Sequence, residues 1–159
     1  MAPEAVRDGL GAFEPAAHRG ELVAEVDGVR FLDNSKATNV HAASAAIVAV
    51  RGAELIAGGR PKGQDLSPLR DTASNLRAVV AMGEAAPSLH AVYEGLVPVH
   101  DAGSIEEAVA AAFAASARPG VVLLAPACAS WDQFASYVER GDRFAAAARA
   151  LASGVRAGG

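Results

Sequence analysis

Lysine occurs twice in this sequence, at Lys36 and Lys62, against twelve arginines. Both stand in polar segments that follow apolar runs, Asp33-Asn34-Ser35-Lys36-Ala37-Thr38-Asn39 and Gly58-Gly59-Arg60-Pro61-Lys62-Gly63. A third segment, 126–131, adds the hydroxyl of Ser130. Together these groups suit anion binding. Lysine is a compact point charge, Thr38 and Ser130 are hydroxyl donors, and a helix start offers unpaired N–H groups. A small dianion fits such a set, one carboxylate near the lysines and the other near a helix opening at Ser130. The same residues also serve without any ligand, because Ser130 and Asn39 are good N-caps and loop lysines are commonly solvated. His18-Arg19, ahead of the first strand, could hold a phosphate or pair with an acid.

Other chemistries lack their residues. There is no Gly-x-x-x-x-Gly-Lys-Ser/Thr phosphate loop, no Gly-x-Gly-x-x-Gly fingerprint and no Gly-x-Ser-x-Gly elbow. The histidines at 18, 41, 90 and 100 show no paired metal spacing, so no metal site built by this chain alone is expected. Cys128, between alanines, fits a small buried filler better than a nucleophile. Trp131, Phe134 and Tyr137 recur at helical spacing and suit a core or a pocket wall. A formal charge of −4 leaves no basic stripe for nucleic acid or a membrane surface. The nearly apolar stretch 108–117 is too short to span a bilayer, and no charged-then-apolar leader opens the chain. With a single cysteine the chain suits a reducing cytoplasm, and it is expected to be a monomer.

The elements that must position these loops follow from periodicity. At 159 residues with 52% apolar side chains, the chain is one globular domain. Residues 21–26 and 29–32 alternate around Asp27-Gly28, a strong two-residue hairpin signal. Asn39 is placed to cap a helix over 40–50. Strands are expected at 55–57, 78–82, 97–100 and 121–125, the last a β-branched and leucine run typical of burial on both faces. Helices are expected from Ser67-Pro68 to Asn75, over 86–96, and from the capping box at Ser104 to Ala117. A second capping box at Ser130 predicts a last helix to about Leu151, interrupted at Gly141, with a frayed tail over 154–159. The sum is an α/β, Rossmann-like, doubly wound and mainly parallel sheet with an N-terminal β-hairpin. In such sheets ligands gather beyond the carboxyl ends of the strands, where segments 33–39, 58–66 and 126–131 fall.

At these segments the chain resembles a known family. Phe31 to Asn39 (FLDNSKATN), Gly58-Gly59 with Lys62-Gly63, Leu123 to Phe134 (LLAPACASWDQF) and Glu139-Arg140-Gly141 are similar to the C-terminal domain of the Mur ligases, in the branch that adds D-glutamate. Residues 1–17 match the linker from a preceding domain, and 18–153 the amino-acid-binding domain itself. The resemblance implies an ATP-dependent reaction of peptidoglycan synthesis. ATP phosphorylates the carboxylate of UDP-N-acetylmuramoyl-L-alanine, and the amine of D-glutamate attacks the acyl phosphate. It implies that Lys36 lies near the transferred phosphate, and that Thr38, Lys62 and Ser130 bind the D-glutamate carboxylates. The region of Trp131 and Tyr137 would form the pocket wall, with His18, Arg19 and Asn34 near the nucleotide. The family commonly has Asn-Asp before Ser-Lys, where this chain has Asp33-Asn34. It commonly has a smaller apolar residue at 131 and Phe at 137. The family's phosphate loop and Mg2+ ligands belong to segments preceding this one, so the chain is expected to be a domain of a longer enzyme, inactive alone. A stand-alone binding module of the same fold, or a related ligase using another amino acid, are the alternatives.

Overall fold

Asp27 and Gly28 both take positive φ, 50° and 80°, which gives the turn the twist that two paired strands need. They join β1 (Glu21–Val26) to β2 (Val29–Asp33) antiparallel, with Val26 opposite Val29. The computed structural model describes residues 17–131 and 133–158, with side chains to Gly154; the linker expected over 1–17 lies almost wholly outside them. After β2 come α1 (Val40–Val48), β3 (Ala53–Gly58), a 3-10 helix (Ser67–Asn75), β4 (Leu76–Met82), a short 3-10 turn (Gly83–Ala85) and α2 (Ala86–Tyr93). β5 (Val99–Asp101), α3 (Ile105–Ala115), β6 (Gly120–Ala127) and α4 (Tyr137–Gly158) complete the order.

The six strands form one sheet in the order β1-β2-β6-β3-β4-β5, parallel apart from the β1/β2 hairpin. The chain steps outward from β3 to β5 and then returns to insert β6 between β2 and β3. Successive side chains of β6 therefore face opposite layers. Leu123 and Ala125 pack with Ile47, Leu69 and Tyr93 on one side, and Val122 and Leu124 pack with Ile105, Phe134 and Phe144 on the other. This is the doubly wound architecture expected, with β6 buried as its β-branched run implies. No helix among the described residues is long and apolar enough to cross a membrane.

Three elements differ from expectation. Residues Ser67–Asn75 form a 3-10 helix, and Asp65 accepts from both the amide and the hydroxyl of Ser67, which takes that serine out of the N-cap role. α2 ends at Tyr93 rather than near Leu96. The last helix begins at Tyr137, runs through Gly141 without a break and continues to Gly158, past the point where fraying was expected. Two capping boxes compete at its start, Ser130-Trp-Asp-Gln133 and Ser136-Tyr-Val-Glu139. The second one forms: Ser136 Oγ accepts from Glu139 N at 3.2 Å, and Glu139 Oε2 accepts from Ala135 N at 3.0 Å. Gln133 instead donates to Gly103 O.

β3 is buried along its whole length, and this includes Glu54 at 1% exposure. Its Oε1 accepts from Arg77 Nε at 3.2 Å, while Oε2 is buried with no partner among the described residues. Burial pushes this carboxyl above its ordinary value, and the charge and hydrogen bond of Arg77, then the charge of His100, pull it back part of the way. The folded chain therefore holds the Glu54 proton over a pH interval where the unfolded chain has released it. By linkage, stability falls as pH rises from the ordinary carboxylate value through the raised one. Glu54→Gln is expected to abolish that segment of the pH–stability curve while keeping the Arg77 contact. Urea unfolding of both proteins from pH 4 to 8 checks it; parallel curves would refute it.

Candidate functional site

β6 lies between β2 and β3, so the loops after all three strands converge at one edge. β2 ends on Asp33, fully buried, whose Oδ1 accepts from Ser35 N at 2.9 Å and whose Oδ2 lies 2.6 Å from His18 Nδ1. Two tight turns follow, Ala37 N to Asn34 O and Thr38 N to Lys36 O, both 2.9 Å. They leave Lys36 exposed and Thr38 half-buried. Asn39 then caps α1, its Oδ1 accepting from Ala42 N at 2.8 Å.

Arg140 holds this loop to the one after β6. Only 3% exposed, it donates from Nε to Ser35 Oγ (3.0 Å) and from its terminal nitrogens to Ser35 O (2.8 Å) and Cys128 O (3.1 Å). Ser35 Oγ in turn donates to Tyr137 O at 2.7 Å, at the opening of α4. Gln64 makes the second tie, giving Nε2 to Ala127 O at 2.7 Å and accepting Val40 N at 3.1 Å. Backbone bonds between Arg60 and Ala129 close the third side, 2.8 and 3.0 Å. Gly59 permits that approach, since a Cβ there would strike Ala129 O.

A cleft of about 360 Å³ opens between these loops, lined by Thr38, Lys62, Ala129, Ser130, Trp131, Ser136 and Tyr137. Thr38, Lys62, Ser130, Trp131 and Tyr137, the five that the resemblance implies around the amino acid, share one cavity, whereas Lys36, also expected beside a dianion, is not among its lining residues. Lys62 Nζ sits 3.6 Å from the centroid of the Trp131 ring, and Lys36 Nζ 5.8 Å from that of Tyr137. Each ammonium is stationed over an aromatic face. The expected helix start at Ser130 is absent, because the chain there turns (Gln133 N and Phe134 N both donate to Ser130 O) before α4 begins. Ser130, 2% exposed, therefore contributes to the cleft from a turn, without the field of a helix terminus.

The three residues expected near a nucleotide separate. Arg19 is exposed. Asn34 is half-buried, and its side chain makes no hydrogen bond among the described residues. His18 is 7% exposed and meets a carboxylate at each ring nitrogen, Asp33 at Nδ1 and Asp142 at Nε2, the latter 3.3 Å away. Its backbone oxygen accepts from Lys36 N at 3.0 Å. His18, Glu21 and Asp33 bring potential ligand atoms within 4.8 Å of one another, a triad open in principle to a metal. Each of the three is already engaged, Glu21 Oε2 by the amide of His18, and the group works as a clasp at the foot of the Lys36 loop.

Arg140 and Gln64 escaped sequence reasoning as binding-loop ties. Glu139-Arg140-Gly141 marked the place without giving it a task, and Gln64 sits in a loop with no periodicity. Gly141 is needed because a Cβ there would strike His18 Nδ1 and Asp33 Oδ2. Gly141→Ala is expected to lower stability by about 1–3 kcal/mol, the usual range for overpacking. Urea unfolding at pH 7 measures this, and the amide resonances of residues 33–38 should shift with it. An unchanged midpoint and unchanged spectra would show that the clasp yields freely.

Comparison with known proteins bears on the same region. Residues 18–128 match the family model described as Mur ligase, glutamate ligase domain. The chain is 47% identical to the UDP-N-acetylmuramoylalanine--D-glutamate ligase of Thermobifida fusca (strain YX), over 96% of this chain and 35% of that one. It is 44% identical to the ligase of the same name from Rhodospirillum rubrum, over 86% of this chain and 30% of that one. It thus spans about a third of the length of these curated relatives. Among solved structures, the bifunctional folylpolyglutamate synthase/dihydrofolate synthase of Yersinia pestis CO92 shares the fold with a TM-score of 0.62 and 21% identity, over 92% of this chain and 34% of that one. A structure of that enzyme complexed with AMPPNP and a Mn ion gives 0.59 at 20% identity, with the same coverage. With its SKATN and PACAS loops meeting at one cleft, the family model matching residues 18–128 and these relatives matching most of the chain, the chain belongs to the Mur ligase family.

Proposed function

We propose that this chain is the amino-acid-binding domain of a cytoplasmic, ATP-dependent ligase that joins D-glutamate to UDP-N-acetylmuramoyl-L-alanine in peptidoglycan synthesis. The observation that carries this reading is the cleft that gathers Thr38, Lys62 and Ser130 beside Lys36. Two carboxylates on a short substrate would take the Lys62 ammonium and the hydroxyls of Thr38 and Ser130, with Trp131 and Tyr137 as walls. The relatives from Thermobifida fusca and Rhodospirillum rubrum are named as D-glutamate ligases, which supports that choice of substrate.

The reaction has two steps. The carboxylate of UDP-N-acetylmuramoyl-L-alanine attacks the γ-phosphorus of ATP, forming an acyl phosphate and releasing ADP. The D-glutamate amine then attacks the acyl carbon, the C–N bond forms as phosphate leaves with the bonding pair, and the amine loses a proton. Negative charge moves through the transferred phosphoryl group in both steps, and Lys36 is the group we assign to stabilise it. Arg19 and Lys36 are exposed and Thr38 is half-exposed, which leaves them open to a nucleotide held by another domain. His18 would act through Lys36 by fixing its backbone, and Asn34 would offer an uncharged amide to the nucleotide. ATP carries Mg2+ in such chemistry. We place the Mg2+ ligands outside this chain, since Asp33 and Glu21 are hydrogen-bonded into the His18 clasp.

Titration of the chain with D-glutamate, followed by amide NMR, is expected to shift Thr38, Lys62 and Ser130 with a dissociation constant in the millimolar range, about −4 kcal/mol. L-glutamate should bind more weakly, and Lys62→Ala should remove the shifts. If neither this chain nor the whole ligase distinguishes the enantiomers, or if Lys62→Ala changes nothing, the assignment fails. In the whole ligase, Lys36→Ala is expected to lower kcat by about a hundredfold or more while the KM for D-glutamate changes little. A loss confined to KM would make Lys36 a substrate-binding group instead.

A further inference from the structure

The opposite end of the sheet, where the parallel strands begin, holds a groove of about 480 Å³ lined by Arg30, Arg51 and Arg77, with Pro119 and Val121 as apolar wall and Glu25 at its edge. Arg30 stands opposite Val121, Val121 opposite Ala53, and Ala53 opposite Leu76, so one row of the sheet runs under the groove from β2 to β4. Three inter-strand spacings make that row about 14 Å long.

The state of these arginines sets the groove apart. Arg60, Arg118 and Arg143 each meet a carboxylate on the surface, and Arg70 and Arg149 donate to backbone carbonyls. The side chains of Arg19, Arg30 and Arg51 make no hydrogen bond or ion pair among the described residues. Arg19 belongs to the nucleotide face proposed above, and the other two share this groove. Glu25 is the cross-strand neighbour of Arg30 but forms no ion pair with it. Arg77 is fixed by its Nε bond to the buried Glu54, and its terminal nitrogens have no partner among the described residues. A guanidinium held on one edge by an interior carboxylate presents its other edge as a fork, the geometry that suits phosphate oxygens.

We propose that this groove is a second anion site, taking a small molecule that bears phosphate groups. Concave volumes of this size suit small ligands, and Pro119 with Val121 would cover a non-ionic part of one. The site lies at the other end of the strands from the Lys36–Lys62 cleft, so occupancy of one leaves the other open.

The test is an amide NMR titration of the chain with inorganic pyrophosphate at low ionic strength, with sulfate at matched ionic strength as control. Saturable shifts are expected at Arg30, Gly52 and Gly120, tighter for pyrophosphate than for sulfate. Arg30→Ala with Arg51→Ala should weaken binding at least tenfold, while Arg19→Ala should leave these shifts unchanged. Arg30 and Arg51 are both exposed, and a dispersed spectrum of the double variant confirms its fold. Shifts confined to residues 34–38, shifts matched by sulfate, or shifts that survive the double variant would each overturn the proposal.

Discussion

The site rests on one buried guanidinium. Arg140 comes from the first turn of α4, yet its three nitrogens bond to the loop after β2 and the loop after β6. A charge taken out of water is strongly unfavourable unless hydrogen bonds replace hydration, and hydrogen bonds to a charged group contribute about 1.5–3 kcal/mol each. The acceptors are backbone oxygens and a serine hydroxyl at fixed places, so satisfying Arg140 also sets the relative position of the two loops. Lys36 follows Ser35 directly, and Ser130 is two residues beyond Cys128. Lys36 and Ser130 therefore lie within two residues of the atoms that anchor the guanidinium.

That anchoring explains how exposed groups can be well placed. Lys36 and Lys62 have long flexible stems that solvent would let wander. Each is drawn to an aromatic face instead, Tyr137 for the first and Trp131 for the second. Tyr137 is itself placed by the bond from Ser35 Oγ to its backbone oxygen. The order runs from core to surface: a buried arginine fixes the loops, the loops fix the rings, and the rings bias the ammonium groups. Cation–π contacts at exposed sites contribute only about 0.5–1 kcal/mol, enough to bias a rotamer and too little to hold an ammonium against a carboxylate.

What the sequence disclosed follows the range of the interactions concerned. The Asp27-Gly28 turn, the Asn39 cap and the Ser104 box are settled within four residues, and each forms as its residues imply. The buried run of β6 is equally local, so its place inside the sheet could be anticipated. The start of α4 could not, because Ser130 and Ser136 offer equivalent signals. The choice between them depends on where Phe134 and Arg140 must sit against β6 and the loop after β2. Arg140 and Ser35 are 105 positions apart, and Gln64 and Ala127 are 63. Nothing in either neighbourhood announces such a pairing. Asp33 shows the converse: beside Asn34 in a polar loop it resembles a surface acid, yet burial makes it the structural partner of His18.

On the proposed reading, the openness of the cleft is itself a mechanistic property. Two unit charges 4 Å apart interact by about 1 kcal/mol in water, and by about 4 kcal/mol where the effective dielectric constant falls to about 20. Lys36, exposed as it stands, would stabilise a transferring phosphoryl group little better than solvent does. The same residue covered by a second protein surface would act at close to the larger figure. A loop rigid enough to hold Lys36 through His18, Ser35 and Arg140, but open on its outer side, is therefore suited to deliver a charge when another domain closes over it. The rigidity is needed in advance because reorganising the loop during the reaction would consume the electrostatic gain. Burial of Arg140 and exposure of Lys36 are in this sense one arrangement, with the desolvation carried inside the fold so that the reactive cation can wait in water.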